Sequence, residues 1–245
     1  SESPCPTDNL YRIIGVINDK VKLIKYDYAT SDLLGTDGDY CEAYSYGNGN
    51  YKGDNYANIA SYYWNYKATK NNTWSTSLLN KTNLNTNFIN NIGSEWANKI
   101  ATTVWKVGGN TRDNVVKAIP SVTYQNEIVN PVTTNSTDNT TEYEAKIGLM
   151  YASDYGFAAS PESWTTAMNS YDSVNNINWM YMGLEEWTIS RNANSSDFAF
   201  YVDYIGSVDN DDMLADDAVR PTFSLEAFIA YVSGSGSMSD PIRVN

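Results

Sequence analysis

The run from Leu10 to Tyr28, LYRIIGVINDKVKLIKYDY, holds two β-branched stretches on either side of Asn18-Asp19. Such a pair between two apolar stretches predicts a hairpin, because Asn and Asp tolerate the positive φ of a tight turn. In the second stretch Val21, Leu23 and Tyr26 are set against Lys20, Lys22 and Lys25, the alternation of a strand with one buried and one solvated face. Gly35 to Gly53 is rich in Gly, Asp, Asn and Tyr and reads as a loop. From Trp74 to Ile100 the spacing turns helical. Ser75 and Thr76 stand as caps before SLLN, and Thr86 precedes NFINNIG, which Gly93 stops. Ser94 then caps EWANKIA, placing Trp96, Ala97 and Ile100 on one face. These helices are short and Asn-rich, so packing rather than propensity must hold them. Thr102 to Val107 predicts a strand closed by Gly108-Gly109, and the Thr/Asn-rich stretch from Val129 to Glu142 predicts a loop excursion. Lys146 to Ala152 (KIGLMYA) reads as a buried strand, and Ser160-Pro161 opens a helical or turn segment through Met168. Trp179 to Ile189, Phe198 to Val208, Pro221 to Leu225, Ile229 to Val232 and Ile242 to Val244 complete the strands. Short helices among small antiparallel strands predict an α+β class, with an N-terminal tail over residues 1–9 and one domain over 10–245.

Charge narrows the partners. The net charge is −13, with 20 Tyr and 7 Trp among 245 residues. A nucleic-acid partner or an anionic lipid surface needs clustered cations, and both are disfavoured here. No apolar run approaches the roughly 18 residues of a membrane span, so no direct membrane insertion is expected in this segment. An export signal or anchor is expected to precede Ser1. The chain has no histidine, which excludes Ser–His–Asp and Cys–His nucleophile systems and His-ligated metal sites. Its two cysteines, Cys5 and Cys41, fit one disulfide in an exported protein, pinning the tail to the loop GDYCEAYSYGNGN; two free thiols in a cytosolic protein are the alternative. Asn-x-Ser/Thr triplets at Asn71, Asn80, Asn135, Asn139 and Asn194 follow from composition and are not read as glycosylation.

Residues 192–218, NANSSDFAFYVDYIGSVDNDDMLADDA, contain no Lys, Glu, Gln or Trp. Tyr, Asp, Asn and Ser together are the chemistry of a binding surface: rigid amphipathic aromatics among short polar groups. Along this stretch Phe200, Val202 and Val208 fit an inward set, Gly206 a bend, and Tyr201, Asp203 and Ser207 an outward set. The candidate ligand-binding residues are Ser196, Asp197, Phe198, Tyr201, Asp203, Tyr204, Ile205, Ser207, Asp209, Asn210, Asp211, Asp212, Asp216 and Asp217. The acidic members have oxygen chemistry suited to calcium, but the spacing of an EF-hand loop is missing. The Glu-Pro-Asn and Gln-Pro-Asp triplets of calcium-dependent lectins are missing too. The default is a solvated acidic loop, with no metal or cofactor assigned. Glu185-Glu186-Trp187 contains a carboxylate pair, yet strand neighbours face opposite ways and cannot flank one bond. Trp187 is expected in the core and Glu186 hydrogen-bonded to nearby backbone.

The ordered set WMYMGLEEWTISR (179–191), the stretch just described, AVRPTFSL (218–225) and GSGSMSDPIRV resembles bacterial surface domains related to formylglycine-generating enzymes. WSTSLLNKTNL, NNIGSEWANKIATTVWKVGG and AKIGLMYASDYGFAASP resemble the helical pair and first core strands of the same domains. The resemblance implies a C-type-lectin-like fold, in which the N- and C-terminal strands pair. Within that class, variable proteins of diversity-generating retroelements carry a hypervariable patch in this position. Their adenine-directed mutagenesis turns Asn codons into Ser, Asp, Tyr, Phe, Ile or Ala, never into Lys, Glu, Gln, Met or Trp. Residues 192–218 follow that rule except at Met213. The oxygen-activating enzymes of the wider group use a cysteine pair in the late strands, which this chain lacks, so no enzymatic activity is carried over. The expectation is a binding protein, secreted or at the cell surface, with a protein ligand favoured over a glycan and assembly into a surface structure open. A carbohydrate-binding or carbohydrate-active protein, or a pilin or surface-layer subunit, are the alternatives.

Overall fold

The computed structural model describes residues 10–46, 48–53, 56–131, 140–237 and 239–245. Its architecture is α+β, with several small antiparallel sheets around helices of mixed pitch. Strands β1 (Tyr11–Ile17) and β2 (Lys20–Lys25) form the expected hairpin, with Asn18 and Asp19 at φ 50° and 60°. The remaining strands are β3 (Tyr40–Ala43), β4 (Ala60–Tyr63), β5 (Thr103–Lys106), β6 (Glu142–Ala145), β7 (Ile147–Gly148), β8 (Glu186–Arg191) and β9 (Phe198–Val202). They are followed by β10 (Val208–Asp212), β11 (Asp216–Asp217), β12 (Thr222–Ser224), β13 (Tyr231–Ser233) and β14 (Arg243–Val244).

The main sheet runs β1-β2-β12-β7. The N-terminal hairpin thus pairs with β12, Phe223 opposite Leu23, whereas the last strand β14 pairs only with β13. β2 lies inside this sheet and both its faces are covered. Leu23 packs with Trp105, Ile147 and Phe223, while Ile24 enters a second cluster with Met150, Tyr155 and Phe200. The expected wet face is therefore absent, and Lys22 and Lys25 are buried. Lys22 is neutralised by Asp154 and its ammonium lies 4.6 Å from the Tyr151 ring, so the buried charge is matched.

A wide-turned π-helix from Leu79 to Phe88, continued by Ile89–Asn91, packs Leu79, Leu84 and Phe88 on the larger cluster. Ser75 and Thr76 do not cap it. Asp39, far along the chain, accepts from the N–H groups of Leu78 and Leu79, both at 3.0 Å, and Ser77 accepts from the Asn80 N–H at 3.2 Å; Asp39 also accepts from the Lys67 N–H at 2.8 Å. The asparagines explain how a weak helix former persists. Asn83 donates to the Leu34 carbonyl, and Asn85 both donates to and accepts from the Ile147 backbone. Ser94 sits inside the next turn, and Gly93, at φ 83°, takes the capping position; Ala97 and Ile100 are buried as the spacing predicted.

Three strand readings change. Phe198–Val208 is not one strand: it ends at Val202, reverses, and resumes antiparallel as β10 at Val208. Lys146–Ala152 is strand only at β7, where a Cβ on Gly148 would lie 2.7 Å from the Trp105 ring. Asp154 then accepts from the Tyr151 N–H at 2.9 Å, which opens a helix over Ala152–Phe157. The strand expected from Trp179 starts only at Glu186. The loop expected over Gly35–Gly53 contains β3, which joins β11 and β4 in a sheet of order β11-β4-β3. Cys5 lies outside the described residues, and so does its expected pairing; Cys41 donates from its thiol to the Tyr63 hydroxyl at 3.1 Å. Among the described residues no helix is long and apolar enough to cross a membrane.

Candidate functional site

β8, β9 and β10 form a three-stranded sheet of order β10-β9-β8. Its inner side chains follow from strand alternation: Phe200, Val202 and Val208 are buried together, and Trp187 and Ile189 join the larger cluster. Trp187 also donates its indole N–H to the Tyr62 carbonyl at 2.7 Å. Between β9 and β10 the chain reverses over Asp203–Ser207. Asp203 accepts from the N–H groups of Ile205 and Ser207, at 3.0 and 2.8 Å, and Gly206 takes φ 101°. A Cβ at Gly206 would lie 2.8 Å from the Asn175 Cβ, and its carbonyl accepts from the buried Tyr155 hydroxyl at 2.7 Å. The hairpin is thus braced from below.

The candidate residues divide by environment. Asp197, Tyr204 and Ile205 are exposed, and Leu214, outside the expected set, is exposed too. Ser196 is half-buried and donates to the Asp197 carboxylate at 2.9 Å. Phe198 and Tyr201 are half-buried; Tyr201 packs its ring 6.2 Å from that of Trp187, so it belongs partly to the core. Asp203 is half-buried and serves the turn. Ser207 does not face outward: it is buried, donating to the Asn169 carbonyl and accepting from the Asp172 N–H, because the bend at Gly206 turns it inward. Asp209 and Asn210 are tied to Arg112, whose guanidinium grips both Asp209 oxygens at 2.7 and 2.8 Å and the Asn210 side-chain oxygen at 2.8 Å. Asp211 and Asp212 are half-buried and accept from the N–H groups of Asp212 and Leu214 respectively. Asp216 is half-buried and Asp217 is buried, since β11 pairs with Tyr63 and Tyr62 of β4. The ends of the stretch are also interior. Asn192, Ala193 and Ala218 are buried, and Asn72 donates its side-chain amide to the carbonyls of Asn192, Ser195 and Phe198.

Glu185 and Glu186 point apart, as strand geometry requires. Glu186 is fully buried against Arg220, which bonds both its oxygens at 2.8 and 2.7 Å and the Met180 carbonyl at 2.6 Å. Its partner is therefore this arginine and not the backbone. Glu185 instead lines an open pocket of about 310 Å³ with Asp211, Asp216, Asp217, Glu42 and Tyr44. Burial first, and then the charges of Asp211, Asp203 and Asp216, push the Glu185 carboxyl up to about 7. Burial followed by the Glu185 charge raises Asp217 well above the usual carboxylate range. Glu42 and Tyr44 come from β3 and the residue after it, a region read as loop. Their signal was the alternation Tyr40-Cys41-Glu42-Ala43-Tyr44, which glycines on both sides obscured. Among the described residues, no three acidic or thiol side chains are placed to hold a metal ion. No family model, curated protein or solved structure matches the chain.

Proposed function

We propose that this chain is a ligand-binding protein of C-type-lectin-like fold, secreted or displayed at a cell surface, without enzymatic activity. The observation that carries the reading is the division of labour within residues 192–218. Phe200, Val202, Val208 and Met213 are sealed in the interior, while Asp197, Tyr204, Ile205 and Leu214 lie exposed. A braced hairpin with a replaceable outer surface suits recognition, since exposed substitutions leave the fold nearly unchanged. Tyr204 and Ile205 supply contact area, and the surrounding carboxylates favour a cationic or amide-rich protein over an acidic glycan or a nucleic acid. Assembly of the chain into a larger surface structure is compatible with this role.

The test is a protein and glycan array probed with the parent and with a variant carrying Asp197→Asn, Tyr204→Ser, Ile205→Ser and Leu214→Ser. The expected result is a protein hit lost in the variant while its melting curve stays within a few degrees of the parent. Retention of every hit by the variant sinks the reading. Sequencing beside the gene adds a second check, because the retroelement reading requires a reverse transcriptase and a near-identical repeat differing at adenines.

A carbohydrate-active protein is the second reading, favoured by one observation: Glu185, raised to about 7, shares a pocket with Asp211, the pairing of a proton donor with a second carboxylate. Glycan hydrolysis abolished by Glu185→Gln would establish it in place of the first.

A further inference from the structure

We propose that the acidic pocket beside the β9–β10 hairpin receives a guanidinium group, an arginine side chain presented by the partner, with Asp217 as its innermost acceptor. The proposal rests on the binding reading above and assigns the ligand chemistry of one part of that surface.

Five carboxylates line the pocket, from Glu42, Glu185, Asp211, Asp216 and Asp217, and no lysine or arginine does. Elsewhere the interior acids are matched, either by N–H and hydroxyl donors, as at Asp39 and Glu127, or by cations. Asp154 has Lys22, Glu186 has Arg220 and Asp209 has Arg112. Here the compensation is missing. Asp217 is only 1% exposed, and its Oδ2 has no hydrogen-bond partner. A buried acceptor left unmade is costly, and native proteins keep few of them. Asp217 is also a wall residue of the cavity, so a donor entering from solvent can reach the site where the protein provides none. The opening on the solvent side carries the exposed Tyr46 ring, and the wall carries Tyr44, whose hydroxyl is taken up by the Glu185 N–H at 3.0 Å.

The chemistry separates a guanidinium from other cations. The carboxylates surround the space without three of them being placed to hold a metal ion. A planar fork of five N–H donors serves several separated acceptors at once and stacks on an aromatic face, whereas an ammonium is a compact, strongly hydrated point charge. A pocket of about 310 Å³ accommodates the head and its alkyl stem.

The experiment is calorimetric and NMR titration of the whole chain with butylguanidinium, butylammonium and calcium, followed by a short peptide with one central arginine. Saturable one-to-one binding of butylguanidinium, at least tenfold tighter than butylammonium, is expected, with the peptide competing for the same site. Asp217→Asn should weaken it at least tenfold. Glu185→Gln, at a half-exposed position, should weaken it as well and guards against a folding defect in the first variant. Glu95→Gln, remote and exposed, should change nothing. Absence of saturable binding, affinity unchanged from the parent in both pocket variants, or a preference for calcium or butylammonium overturns the proposal. If the array partner still binds through Tyr204 and Ile205 while butylguanidinium does not, only this inference fails. If neither binds, the binding reading fails with it.

Discussion

Arg220 shows how a single side chain can hold this interior together. Its guanidinium is buried, forked onto Glu186, bonded to the Met180 carbonyl and stacked 5.3 Å from the Tyr28 ring. The pair links the start of β8 to the segment two residues before β12, two stretches that otherwise meet through backbone bonds around Ala218. Removing one member leaves the other as a buried charge with no counterpart. Arg220→Ala is therefore expected to cost about 3–5 kcal/mol, while the apolar double replacement Glu186→Leu with Arg220→Met should cost less than either single change. Urea melts of the two single variants and the double variant measure this; strict additivity would show that the two groups do not act as a pair.

At the scale of elements, the β9–β10 hairpin combines a fixed underside with a free outer surface. Trp187 on the neighbouring strand is buried and hydrogen-bonded, so Trp187→Ala should cost about 3–5 kcal/mol. Tyr204 is exposed and bonds through its backbone carbonyl, which Tyr181 and Asn50 reach, so Tyr204→Ser should shift stability by no more than about 0.5 kcal/mol. Gly206→Ala, at φ 101° and against the Asn175 side chain, should cost about 1–3 kcal/mol. Thermal melting ranks the three. A Tyr204→Ser chain that unfolds while Trp187→Ala melts like the parent would make the hairpin's outer surface core, and recognition would have to lie elsewhere. The Asp39 cap on the helix at Leu79 follows the same logic of elements braced at long range, since its acceptor comes from 40 residues earlier.

For the molecule as a whole, the acidic balance makes stability depend on pH in a definite direction. Burial, and then neighbouring charge, raises Glu185, Asp211 and Asp217 in the folded chain, and burial raises Asp203. A carboxyl held above its unfolded value binds its proton more tightly when folded. Its contribution is complete below the unfolded value and is lost as pH rises through the folded one. For Glu185 that window runs from 4.5 to about 7. The melting temperature is thus expected to be several degrees lower at about pH 8 than at about pH 5, and Glu185→Gln should flatten part of that slope. A profile that rises over this interval would contradict the assignment.

The hairpin at Asn18-Asp19, the inward set Phe200, Val202 and Val208, the bend at Gly206 and the opposed directions of Glu185 and Glu186 were legible in the sequence. Each depends on local rules: turn residues that accept positive φ, and side chains that alternate along a strand. Burial of Lys22 and Lys25, capping by Asp39, the Glu186–Arg220 pair, the inward turn of Ser207 and the position of Asp217 were decided only by tertiary structure. The deciding partners lie far along the chain: 34 residues for Glu186 and Arg220, 132 for Lys22 and Asp154, and 155 for Asp217 and Tyr62. The pocket belongs to this second group: its walls come from β3, β4, the residue before β8, β10 and β11, segments read mostly as loop, and only packing brings them around one space.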